Sequence, residues 1–237
     1  TWQEEYDELE EERAKLEQLE AIGYLGGTVL ASDDRSLTVY ERDRCWNGLN
    51  FYTSGHAPEA VLMDMEGRDV HRWRRGFNEV WPNDRGQEHT PGREHWRRAH
   101  LFENGDILVI FEGLGIVKLD KNSNVLWANR NGAHHDLEVQ PNGDIYILTR
   151  EAHVTKVLDK RLPILEDSIT VLDAQGNVKR SVSLLDCMHN SAYRAYLAKC
   201  NRRGGDIFHT NTVFVLDGRV AHRAPVYKAG NVLTSIL

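Results

Sequence analysis

Residues 101–129 read LFENGDILVIFEGLGIVKLDKNSNVLWAN, and this stretch decides the fold. Asn104-Gly105 is a tight-turn signal, because both residues tolerate the left-handed backbone that such turns need. The apolar run Asp106–Phe111 (DILVIF) follows it, and Ile116–Leu119 (IVKL) follows that. Runs this short, bounded by turn residues, read as strands and not helices. Asp120 then opens a further turn into a third, Val-containing strand.

Both signals recur. Asn104-Gly-Asp-Ile reappears 38 residues later as Asn142-Gly-Asp-Ile. An apolar residue plus Asp, then a turn and a strand, appears at Met63-Asp64 (DMEGRDVHRW), Leu119-Asp120 (DKNSNVLWA) and Leu172-Asp173 (DAQGNVKRS). Further strands are expected at Ala60–Met65, Asp144–Leu148, Ile169–Leu172 and Asn231–Ile236. The two patterns interleave to give about four strands in every ~40–55 residues, the period of a propeller blade. The expected fold is all-β: an incomplete β-propeller over residues 23–237, built of about four four-stranded antiparallel blades. Two stretches interrupt the repeat. Residues 76–98, rich in Arg, Glu, His and Pro, read as a long surface excursion, and residues 184–203 as a short helix. The strand at Asn231–Leu237 would present a bare edge, so the chain is expected to be a fragment or to be completed by another subunit.

Ahead of the sheets, residues 1–22 read as a separate acidic helix. Thr1 and Glu4 have capping-box spacing, and acids crowd the first turns. Residues 1–20 hold nine acids and two bases, which accounts for the whole net charge of −7. The remaining 27 acids and 27 bases cancel, which leaves no electrostatic case for nucleic acid as a partner. The apolar stripe Trp2, Tyr6, Leu9, Leu16 and Leu19 is thin, and Gly23 is the expected stop. Such a helix is expected to act as a stalk from a membrane anchor upstream of Thr1, or to contact a protein partner.

Hydrophobic residues make up 41% and charged residues 27%, as in a globular chain with a sizeable core. No apolar run approaches the roughly 18–20 residues of a membrane span. Cys45, Cys187 and Cys200 form no CxxC pair; Cys187 and Cys200 leave a disulfide and two free thiols equally open.

Two histidine segments are the candidates for chemistry. His134-His135-Asp136 precedes a strand that runs into Asn142-Gly143. His209-Thr210-Asn211-Thr212 precedes a strand that ends in Asp217-Gly218. His135 stands seven residues before its turn and His209 eight, so equivalent blade positions would bring both imidazoles to one axial opening. By the same count Arg97 matches His135, whereas His100 does not. Arg150, at the end of the strand after Asn142-Gly143, could reach the same opening or form a salt bridge between blades. Neither His89, His95 and His100 nor His134, His135 and Asp136 has a recognised metal-ligand spacing, and no metal or other cofactor is expected. A phosphate-binding glycine loop, a GxSxG elbow and a partnered nucleophilic cysteine are all absent.

The wording of several segments resembles the bacterial arylsulfotransferase family. These are Gly23-Tyr-Leu-Gly-Gly27, Trp46-Asn-Gly-Leu-Asn50, Ser54-Gly-His-Ala-Pro-Glu-Ala60, Met63-Asp-Met-Glu-Gly67, His71-Arg-Trp-Arg74, His134-His-Asp136 with Asn142-Gly143, and His209-Thr-Asn-Thr212. The resemblance implies a six-bladed propeller with its active site at the central channel. It implies sulfuryl transfer from a phenolic sulfate ester to a phenol through a sulfated histidine, without a nucleotide donor, in the periplasm. His135 and His209 would be the catalytic channel residues, and His134, Arg150 and Asn211 would bind substrate. The family's nucleophilic histidine and a channel arginine lie in later blades and have no match before Leu237, so the nucleophile is expected beyond that residue. A propeller that serves as a binding or structural subunit is the rival reading.

Overall fold

The computed structural model describes residues 2–20, 37–84, 91–157, 160–199 and 205–236. The chain is mostly β and divides into two compact units. The first holds strands β1 (Asn50–Thr53), β2 (Glu59–Met63), β3 (Asp69–Arg74), β4 (Trp96–Leu101), β5 (Ile107–Phe111), β6 (Gly115–Leu119) and β7 (Val125–Asn129), with a one-turn helix Phe77–Val80. The second holds helix α1 (Trp2–Glu20) and strands β8 (Ala133–Val139), β9 (Ile145–Val157), β10 (Lys160–Leu172), β11 (Val178–Ser183), β12 (Gly205–Asp206), β13 (Thr212–Val215) and β14 (Val232–Ser235). It also holds helix Leu184–His189 and a 3-10 segment Arg194–Lys199.

In the first unit every ladder is antiparallel and joins strands that are neighbours in sequence: β1-β2-β3 and β4-β5-β6-β7. The expected turns sit where the two repeat signals placed them. Asn104 Oδ1 accepts the Asp106 amide between β4 and β5, and Asn142 Oδ1 does the same for Asp144 between β8 and β9. Asp64, Asp120 and Asp173 close the hairpins β2–β3, β6–β7 and β10–β11. In each turn one carboxylate oxygen accepts two backbone amides. The repeat is therefore a repeat of Asx turns, which satisfy in the turn the donors that a ladder would otherwise satisfy.

β5 is buried along its whole length, which is why it reads as a continuous apolar run and not an alternating one. Its Ile107, Val109 and Phe111 form one core with Trp73, Phe77, Trp96, Leu114 and Val117. The Trp73 indole N–H donates to the Gly105 carbonyl at 3.1 Å, so the largest buried side chain of β3 keeps its polar atom satisfied on the β4–β5 turn. This core corrects the expected excursion at 76–98. Phe77 and Trp96 are among the most buried residues of the unit, and Arg93 is buried with its guanidinium on Asp84 at 2.6 Å. Charge density in the sequence concealed two aromatic anchors. His89 lies outside the described residues.

In the second unit β11-β10-β9-β8 form one sheet, with β12 running parallel to β10. β9 and β10 are paired over thirteen positions, well beyond the apolar stretches expected at 144–148 and 169–172. Their extensions (EAHVTKV and KRLPILED) mix charged and apolar residues, which apolar-run reading passes over. Helix α1 packs along this hairpin, with Leu19 buried. Its expected stop at Gly23 lies outside the described residues. Among the described residues no helix is long and apolar enough to cross a membrane. The helix expected at 184–203 is shorter, ending at His189, and a 3-10 stretch follows it after a turn. Leu184, Leu185 and Leu197 from these two segments pack with Leu148, Ile164, Ile207, Phe208 and Val213. Cys187 is an exposed free thiol, and Cys200 lies outside the described residues.

β13 pairs with β14 on one edge. Two amides of β13 are met by side chains of β8 instead of a ladder: Asp136 accepts from Val213 N at 3.2 Å, and Glu138 accepts from Val215 N. That contact fixes the segment carrying His209 against the strand carrying His135.

Candidate active site

The β8–β9 ladder starts regularly, with Ala133 opposite Thr149 and His134 opposite Leu148. The next pair is Leu137 with Ile147, so His135 and Asp136 have no partner in the ladder. A bulge of this kind interrupts the strict alternation of a strand. Neighbouring residues His134 and His135 can then turn their rings toward one another, with Nδ1 atoms 2.9 Å apart and ring planes at 86°. Gly132 prepares the entry to β8. Its φ is +69°, and a Cβ there would stand 2.1 Å from the Arg150 carbonyl oxygen, so only glycine lets the two strands approach.

Both candidate histidines have left-handed backbones. Among described residues other than glycine, φ is positive at Ser123, His135 (51°) and His209 (45°). A non-glycine residue held there costs on the order of 1–3 kcal/mol, and such strain concentrates at functional sites. His209 is held by Asp206, three residues earlier. One carboxylate oxygen accepts the His209 backbone amide at 2.8 Å, and the other meets its Nδ1 at 2.9 Å. The His135 and His209 rings lie edge to face, their centroids 5.5 Å apart, although 74 positions separate them in the chain. The geometry joins the two imidazoles that turn counting paired.

The other candidates have distinct places. His134 is buried, and its Nε2 lies 3.4 Å from Asp167 Oδ1, long for a hydrogen bond. Asn211 donates its amide N–H to the His209 carbonyl at 2.9 Å, which ties it to the strained turn. Arg150 stands opposite Asp167 in the β9–β10 ladder and borders a cavity of about 210 Å³ with Thr149, Glu166, Thr170 and Ser181. His100, which the count set aside, lies in β4 of the other unit. Burial there, and secondarily Arg98, push its pKa down.

Asp167 is the member that sequence reading missed, and Thr210 stood in the His209 segment with no role assigned. Both are almost wholly buried. Asp167 Oδ2 accepts the Thr210 amide at 3.0 Å and the Thr210 hydroxyl at 2.6 Å. Burial pushes the Asp167 pKa up, but the nearby His134 imidazole and the hydrogen bonds from Thr210 outweigh it and hold the carboxyl below its ordinary value. The one available signal was an acidic residue placed mid-strand in LPILEDSITVL, where an unpaired charge would be costly.

Adjoining imidazoles, with the buried Asp167 and the half-buried Asp206 carboxylates beside them, define a β-sheet protein with a histidine–carboxylate centre. Residues 43–218, about three quarters of the chain, match the family model described as Arylsulfotransferase (ASST), and the chain belongs to that family. No curated protein matches it. The matched range contains every residue of the cluster.

Proposed function

We propose that the chain acts in sulfuryl transfer from an aryl sulfate ester to a phenol, with His135 and His209 as the groups that hold the transferring sulfuryl. The contact between their rings carries the reading. In the reaction the aryl C–O–S bridge loses its S–O bond and the aryl oxygen leaves as phenolate. The sulfuryl group passes to a histidine nitrogen and then to the acceptor oxygen, while the acceptor's proton ends on the released phenol. Charge on the three sulfuryl oxygens and on the leaving oxygen is stabilised by N–H donors fixed in advance, and a pair of anchored imidazoles supplies such donors. Family membership and the Asx-turn repeat support reading the antiparallel sheets as blades of a propeller, with the histidines at its axial opening; the periplasm is the compartment proposed with that reading.

Nitrophenolate release from p-nitrophenyl sulfate, with a phenol as acceptor, tests this. The folded full-length protein is expected to turn over, and His135→Ala and His209→Ala are each expected to lower the rate by about 10²-fold, the cost of losing one oxyanion donor. Wild-type rates in both variants would remove these residues from the mechanism. A folded protein that binds phenols without releasing nitrophenolate is a binding module instead.

A further inference from the structure

Asp167 is an acid on an inner strand of a five-stranded sheet, 1% exposed, and packing alone does not call for it there. Its two oxygens face two different histidine-bearing segments: Oδ1 faces His134 Nε2 on β8 at 3.4 Å. Oδ2 takes both donors of Thr210, the residue that follows His209, from 43 positions further along the chain. We propose that Asp167 is the positioning residue of the cluster, setting the protons on His134 and His135 with one oxygen and clamping the His209 turn with the other. The proposal rests on the reading that His135 and His209 hold the sulfuryl group.

The proton arrangement follows from the inventory of donors. An ionised carboxylate only accepts, and at 3.4 Å its field favours hydrogen on the His134 nitrogen that faces it. Neutral His134 then has a lone pair on Nδ1. The 2.9 Å contact between the two Nδ1 atoms requires one donor, and that donor is His135 Nδ1–H. The carboxylate thus dictates, through His134, which nitrogen of His135 is protonated. The second oxygen acts on geometry. Thr210 is fully buried and cannot move from Asp167 without losing two hydrogen bonds in a dry site, so the left-handed His209 beside it stays edge-on to His135.

Asp167→Asn in the whole chain tests the assignment, because the amide matches the carboxylate in shape. Its oxygen still accepts from Thr210, while its NH₂ turns toward His134 Nε2 and makes that nitrogen an acceptor. In ¹⁵N-histidine NMR the His134 hydrogen is expected to move from Nε2 to Nδ1, and nitrophenolate release to fall by about 10²-fold, the cost of one misdirected donor on the sulfuryl group. An unchanged His134 tautomer with unchanged turnover would overturn the proposal. Thr210→Val is the second variant and leaves the acid in place. It is expected to shift the His209 ring resonances and to lower release by about tenfold, on the scale of one lost hydrogen bond. Unchanged His209 resonances would overturn the clamp even if Asp167→Asn does not fold. A wild-type protein without turnover removes the transfer reading, while the tautomer change still decides whether Asp167 holds His134.

Discussion

Strands β4 and β8 open two sheets of the same order, each leading into an Asn-Gly turn, and each breaks its ladder at the same distance from that turn. In β4 the break skips Arg97, between the pairs Trp96–Phe111 and Arg98–Ile110. In β8 it skips His135 and Asp136, between His134–Leu148 and Leu137–Ile147. Arg97 and His135 stand seven residues before Asn104 and Asn142 respectively. One scaffold position therefore carries different chemistry in the two sheets. At Arg97 the guanidinium lies 3.8 Å from the buried Glu112 carboxylate, and the backbone φ stays negative. At His135 the backbone is left-handed and the ring joins a histidine cluster. The bulge frees a side chain from the alternation of the strand, and the residue placed there determines whether the freed group forms an ion pair or joins a histidine cluster.

The largest expected effect falls on the β4 side. Trp96, next to the break, packs edge-on to Phe111 at 6.2 Å and is 1% exposed. Trp96→Ala should cost about 3–5 kcal/mol, read as a lower urea midpoint. A cost under about 1 kcal/mol would mean that the β4 side is not organised around this anchor. Next comes the exchange of roles. His135→Ala should lower nitrophenolate release by about 10²-fold, or about 2.7 kcal/mol in barrier, and Arg97→Ala should leave most of it. Equal losses at both positions would erase the distinction between the two bulges. Gly132→Ala forces a Cβ toward the Arg150 carbonyl in a left-handed backbone, and should destabilise by roughly 1–3 kcal/mol while disturbing the entry to β8. The smallest effect is acid sensitivity. The folded Asp167 carboxyl titrates below its ordinary value of 3.8. Its contribution to stability is therefore complete above the unfolded value and is lost as pH falls through the folded one. Urea midpoints measured from about pH 5 down to about pH 3 should drop in the wild type and drop less steeply in Asp167→Asn, where the other lowered carboxyls still titrate.

Much of this comparison was legible in the sequence, because turns are local. Asn104, Asn142, Asp64, Asp120 and Asp173 announce their hairpins through side-chain contacts that span two to four residues. Counting back from Asn142 and from Asp217 put His135 and His209 at similar distances from their turns, and the two rings are in contact. Asp167 was not legible in this way. Its partners lie 33 and 43 positions away, and only the pairing of β9 with β10 and the return of the chain through β12 bring them together. Trp96 and Phe77 were hidden for a related reason: two aromatics embedded among charges show no periodicity, and their burial is set by β5.

The central claim is that His135 and His209 act on the transferring group as one unit. A double-mutant cycle on nitrophenolate release tests it most directly. Residues that share one task give non-additive losses, so the His135→Ala/His209→Ala protein should be about as slow as the slower single variant. A double variant slowed by the product of the two single effects, about 10⁴-fold, would show two independent histidines and contradict the account.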